Sequence, residues 1–222
     1  MPNLTDLIQQ TAEHVRSRMS GDPSGHDWWH IHRVWQTAIF LAEREGADRG
    51  VVELAALLHD IADWKFAGGD EQAGPAAARL WLESLSADAV LVDHVCEIIG
   101  TLSFKGAGVS TPMRTIEGQV VQDADRLDAI GAVGIARCFA FGGHKNRLIH
   151  DPDQPPELHQ SFAAYKKNSG PSLNHFPEKL LLLKDRINTA SAQQLANERH
   201  AFMEQFLAQF HREWNCETAA RE

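Results

Sequence analysis

"VVELAALLHDIADWKF", residues 51 to 66, sets Val51, Leu54, Ala55, Leu58, Ile61 and Ala62 on one wide apolar face, the period of a helix packed against a core. His59 and Asp60 stand at the C-terminal end of that face, and Asp63 and Lys65 follow them toward a loop. A charged aspartate is rarely fully buried unless it is paired or bound to a metal. On periodicity alone, a surface or salt-bridged pair accounts for His59 and Asp60 as well as a metal site does.

The same helical period recurs outward in both directions. Leu4, Leu7, Ile8, Thr11, Ala12 and Val15 form one stripe, and Ile31, Val34, Trp35, Ala38 and Leu41 another. Helices are predicted over 51–62, 76–85, 87–101, 115–129, 177–187 and 192–214, and no alternating strand pattern competes with them. Loops are predicted where glycine, proline and short polar residues cluster, at 20–25, 44–50, 66–75, 104–112 and 142–157. The fold class is therefore all-α. The 222 residues fit a single domain spanning 1–222, with a core over about 20–140. A long excursion over about 142–175 and a C-terminal helical part over about 157–215 pack on that core.

An apolar share of 43% and a charged share of 23% are ordinary globular values. A net charge of -9 without a basic tract disfavours nucleic acid and anionic membrane as partners, so an anionic substrate must meet local cations or a metal. Cys96, Cys138 and Cys216 are odd in number and scattered, which suits free thiols in a reducing compartment. The N-terminus lacks a signal-peptide core, and no window reaches the roughly 18 apolar residues of a membrane span. These features point to a cytoplasmic protein, with monomer and homodimer both left open.

Two further sites share the oddity of His59 and Asp60. "GHDWWHIHRV", residues 25 to 34, places His30 in the first turn of a helix, and "VVQDADRLDAIG", residues 120 to 131, puts Asp123, Asp125 and Asp128 in an apolar helix. A divalent cation held by imidazole and carboxylate would draw His30, His59, Asp60 and Asp125 from separate helices. Adjacent residues on a helix diverge by about 100°, so His59 and Asp60 can share an ion only beside the helix end.

The order of H in "HIHRV", HD in "LLHDI" and D in "DADRLDAIG" resembles the HD superfamily of metal-dependent phosphohydrolases. "SLNHFPEKLLLLKDRINT" and "FMEQFLAQFHREW" extend the likeness to a small single-domain bacterial branch, over about residues 20 to 215. The resemblance implies an all-helical HD bundle with His30, His59, Asp60 and Asp125 as ligands. His32 competes for the first box, but His30 stands three before the arginine of "RV", Arg33. Binuclear relatives add histidines between the HD pair and the last aspartate. Only His94 lies in 61–124, which predicts one ion, of Mn, Mg, Fe, Co, Ni or Zn, with His94 exposed or hydrogen-bonded elsewhere.

Asp63 stands one turn after the HD pair, the offset at which some relatives place a general acid/base, and is the catalytic candidate, with a surface cap as the plainer reading. Lys65, Lys105, Arg126, His26 and His175 are substrate-binding candidates; Lys105 lies in a glycine-rich loop and Arg126 directly follows Asp125. Asp128 is expected to hold a ligand or an arginine through a hydrogen bond, and Asp123 to face solvent. Trp28 and Trp29 could stack on a base, though core or rim packing explains them as well. Pro177 stands where the branch commonly carries tyrosine, without breaking the predicted helix, and His175 could reach the cleft as part of a lid.

The expected activity is hydrolysis of phosphate esters or anhydrides on a small phosphorylated molecule. The resemblance makes that molecule a nucleotide, cleaved by a phosphohydrolase or a triphosphate pyrophosphohydrolase. The alternatives are a metal-containing sensing or scaffold module and, more distantly, a di-iron HD-type oxygenase.

Overall fold

α3 (Arg49–Leu58) is the axis of the molecule, with residues Gly50 to Leu58 all buried. Its sequence, RGVVELAALL, is apolar on nearly every side, so it is stable only when surrounded. α2 (Trp28–Glu45) and α6 (Ile116–Asp128) lie against it and against each other, α1 (Leu4–Arg18) covers one flank and α5 (Ala89–Thr101) another, with α4 (Ala73–Ser84) outside α5. α10 (Ala190–Trp214) runs over α7 (Gly131–His144) and α6. The computed structural model describes residues 3–19, 21, 25–62 and 70–217, among which there is no strand and no helix long and apolar enough to cross a membrane.

Local chemistry sets the helix ends that matter. The Asp27 carboxylate accepts the His30 N–H at 3.1 Å and starts α2, and Asp48 accepts the N–H groups of Gly50 and Val51 to start α3. α3 was expected to run to Ala62 but stops at Leu58. The carbonyl of Ala56 turns to the His59 ring, and the Ile61 N–H closes a tight turn on the Leu58 carbonyl.

α7 was not anticipated. A glycine opens it at φ 77°, a left-handed angle that favours glycine, and a second sits where a Cβ would lie 2.2 Å from the Ala129 carbonyl oxygen. Gly131 and Gly134 thus permit the sharp α6 to α7 corner that hid the helix from a periodicity reading. The predicted 177–187 helix is instead one α-turn, α9 (His175–Glu178), and two 3-10 turns, Leu180–Leu182 and Lys184–Arg186. Its carbonyls bond tertiary partners; that of Arg186 accepts from Arg126.

Asp123 is a correction of the opposite kind. It is fully buried, not solvent-facing, and accepts the N–H groups of Asn188 and Thr189, the Asn188 side-chain amide and the Thr189 hydroxyl. It serves α10 as a cap from across the chain, where Thr189 itself makes no side-chain cap. The excursion begins after α7, at 145 rather than 142, and includes α8 (Phe162–Lys166). It is tied down where the Ser172 and Leu173 N–H groups bond the Leu148 and Ile149 carbonyls.

Candidate metal centre

α2, the C-terminal end of α3 and α6 converge on one point. His30 Nε2 lies 3.2 Å from His59 Nε2 and 3.3 Å from Asp60 Oδ2, and His59 Nε2 lies 3.5 Å from the same oxygen. Asp125 Oδ1 stands 3.7 and 3.8 Å from the two imidazole nitrogens. Donors about 2.0–2.2 Å from a shared ion in tetrahedral array lie roughly 3.3–3.6 Å apart, close to the spacing of His30, His59 and Asp60 and slightly less than that of Asp125. The helix end lets His59 and Asp60 converge, because Asp60 already lies in the turn.

The outer faces of the imidazoles test the fit. His30 Nδ1 bonds Asp128 Oδ2 at 2.7 Å, and His59 Nδ1 bonds the Ala56 carbonyl at 2.7 Å. A carbonyl and a carboxylate only accept, so both Nδ1 atoms carry protons, and in the neutral rings both Nε2 atoms present lone pairs. Those lone pairs and the Asp60 carboxylate then face one point, with Asp125 at its edge, which suits a cation.

Asp128 anchors more than His30. Arg33 bonds both its oxygens, at 2.6 and 3.1 Å, and Arg137 Nη1 reaches Oδ2 at 3.0 Å. Burial pushes the carboxyl pKa up, but the His30 and Arg33 hydrogen bonds outweigh it and hold Asp128 well below the usual carboxylate range. Arg137 in turn donates from Nε to the Gly25 carbonyl at 2.8 Å.

A cleft of about 30 Å³ opens beside His59 and Asp60, lined also by Glu71, Lys105 and Phe162. A separate cavity has a volume of about 570 Å³. Arg137, Lys145, Arg147, Lys166 and Lys179 line it with His26 and His175, and no carboxylate does among the described residues. His26 joins the two regions, its ring 6.1 Å from that of His30 and 5.4 Å from that of Phe141.

Not every candidate reaches the site. Asp63 and Lys65 lie outside the described residues. Lys105 lines the small cleft, but its ammonium sits 2.5 Å from Glu71, which also holds Lys166 at 3.4 Å. Arg126 is a correction: it is 6% exposed, and its guanidinium donates to the Arg186 carbonyl and to Thr111 Oγ1. One residue past Asp125 it has turned away from the donors, and burial pulls its pKa down to about 10. His94 bonds Thr115 Oγ1 at 2.9 Å, away from the donors. Sequence reasoning missed Lys145 and Arg147 as cavity-lining residues and Glu71 as a cleft-lining one; for the first two, the basic run "HKNR" at 144–147, opening a long loop, was the available signal.

A family model for the HD domain matches residues 28–130. The Bacillus subtilis protein YpgQ is 39% identical over 213 residues, 92% of each chain. The chain belongs to the HD superfamily. A crystal structure of an HD-superfamily hydrolase from Bacillus thuringiensis shares 46% identity at a TM-score of 0.72, over 97% of this chain and 100% of that one. YpgQ in complex with ADP shares 38% identity at a TM-score of 0.71, over 93% of this chain and 97% of that one. HD domains bind divalent metals, and in this HD-superfamily hydrolase the His59–Asp60 pair and His30 form a cluster fit for one.

Proposed function

We propose that this HD-superfamily hydrolase cleaves a phosphate ester or anhydride of a nucleotide, with a single divalent ion held by His30, His59, Asp60 and Asp125. The observation that carries the reading is the cluster of His30, His59, Asp60 and Asp125 together with a cavity lined by Lys145, Arg147 and Lys179, where Arg137 and Lys166 are held by Asp128 and Glu71. On a protein of net charge -9, such a concentration of positive charge has an anionic ligand as its natural counterpart. The ADP complex of YpgQ supports a nucleoside phosphate as that ligand.

A divalent ion, when bound, supplies acidification of a water and neutralisation of phosphoryl charge. The chain's own residues do the rest. Asp128 keeps the His30 proton on Nδ1 and so keeps Nε2 a donor. Arg137, Lys145 and Lys179 bind the phosphate chain, and His26 and His175 line the same cavity. Asp63, three residues after Asp60 in the sequence, takes the role of proton carrier in this reading, and Lys65 that of a phosphate contact. Lys105 joins them if incoming phosphate replaces Glu71 as its partner.

The test is turnover of a nucleotide panel by metal-stripped protein reloaded with Mn, Mg, Fe, Co, Ni or Zn, with phosphate and pyrophosphate assayed separately. His59→Ala is expected to abolish ion binding, and Asp63→Asn to keep the ion and lose most turnover. Full activity in His59→Ala would remove the assigned centre, and full activity in Asp63→Asn the assigned proton carrier.

A further inference from the structure

The tryptophan pair of "GHDWWHIHRV" takes no part in the site above. His30 and His32, two residues apart on α2, are about 200° apart around its axis. The His32 side carries a separate niche of about 290 Å³, lined by Glu13 and Arg16 of α1 and by Trp28, Trp29, His32 and Trp35 of α2. His32 is its hub, with ring centroids 5.8 Å from Trp28, 5.9 Å from Trp29 and 6.1 Å from Trp35, at interplanar angles of 54°, 75° and 88°.

Three of these walls are fixed in advance. Trp35 Nε1 donates to buried Glu53 at 2.8 Å, Trp28 is buried with the Arg16 guanidinium 6.0 Å from its ring, and His32 sits among the indoles. Trp29 is the exception, 58% exposed. A rigid aromatic recess with one accessible indole needs little reordering to receive a flat ring.

The geometry points to a second binding site, for a neutral planar heterocycle with adjacent N–H and C=O groups: a nucleobase or nucleoside. Stacking on Trp29 provides the binding energy, since every base has a π-face. Glu13 and Arg16 are three apart on α1 and so share a face, offering an acceptor and a donor side by side. Glu13 takes one described hydrogen bond, from Gln9 at 3.0 Å, and a carboxylate has room for about four.

Size and charge exclude the other occupants. The niche is at the small end of ligand sites, which run from roughly 300 to 1,000 Å³, so it suits a base or nucleoside. Among the described residues the lining carries a single guanidinium and a carboxylate, too little positive charge to hold a polyphosphate, and an ammonium ligand would meet Arg16. A protein partner needs about 800 Å² of matching surface on each side. The next exposed large apolar residue along α2 is Phe40, about 16 Å away and under the Arg44 guanidinium at 3.5 Å.

Calorimetry on the full chain with guanosine as probe tests the site. Wild type is expected to bind it saturably, Trp29→Ala more weakly by about fivefold or more, and Glu13→Gln more weakly by a few-fold. Nucleotide turnover should be unchanged in both variants, and circular dichroism should confirm their folds. Lys179→Ala, altered in the large cavity, should still bind guanosine. No saturation in wild type, equal affinity in Trp29→Ala, loss of binding in Lys179→Ala or preference for choline over guanosine would each overturn the proposal. So would a wild-type dimer that Trp29→Ala dissociates.

Discussion

Both imidazoles of the donor cluster have their Nδ1 protons engaged, His30's by Asp128 and His59's by a backbone carbonyl. Only the first can be altered by substitution. Asp128→Asn keeps the side-chain shape but removes the charge that fixes the His30 tautomer. It is expected to weaken ion binding by about 10- to 100-fold, read by titrating metal into stripped protein. Unchanged affinity would leave Asp128 serving the arginines alone. Asp128 was legible before the structure because a carboxylate three residues past Asp125 shares part of its helix face. Asp123 and Arg126 were not legible in the same way. Their roles depend on Asn188, Thr189 and Arg186, distant in sequence, and helical phase says nothing about what a second segment brings.

Helices that end in capping chemistry were the easier ones to read. α2 and α3 start on aspartates and carry uninterrupted apolar stripes, so both were visible from periodicity, and their geometry presents His30 and His59. α7 was hidden because its glycines weaken the helical signal while permitting the corner that makes the helix necessary. The 177–187 segment misled in reverse: its leucines have helical spacing, but Lys179, at φ -143° and ψ -59°, breaks the run. At this scale Asp123 has a measurable task, since α10 begins on its carboxylate. Asp123→Ala strands buried donors and is expected to cost roughly 2 kcal/mol or more in chemical denaturation. Protection of the α10 amides against hydrogen exchange should fall with it.

Across the whole molecule, charge is divided unevenly. The chain carries -9 overall, yet five cations gather in one cavity wall. Lys145→Ala and Lys179→Ala are each expected to raise KM for a nucleotide by about tenfold with kcat largely retained, the loss of one charge-assisted hydrogen bond. Added salt should raise KM more steeply in wild type than in either variant, because screening removes what the substitutions have already removed. An insensitive KM would place the ligand elsewhere. The all-α class was legible at this scale from periodicity, whereas the cavity was not, because α7, α8 and α9 assemble it from segments with no common motif. α3, buried from Gly50 to Leu58, adds a last consequence. A helix enclosed on every side opens only when the molecule as a whole does, so His59, at its end, is in place in the native state and lost from it in the unfolded one. An ion captured there would ballast the entire fold, by about 2.7 kcal/mol at a hundredfold excess over Kd. Metal supply and thermal endurance would then vary together.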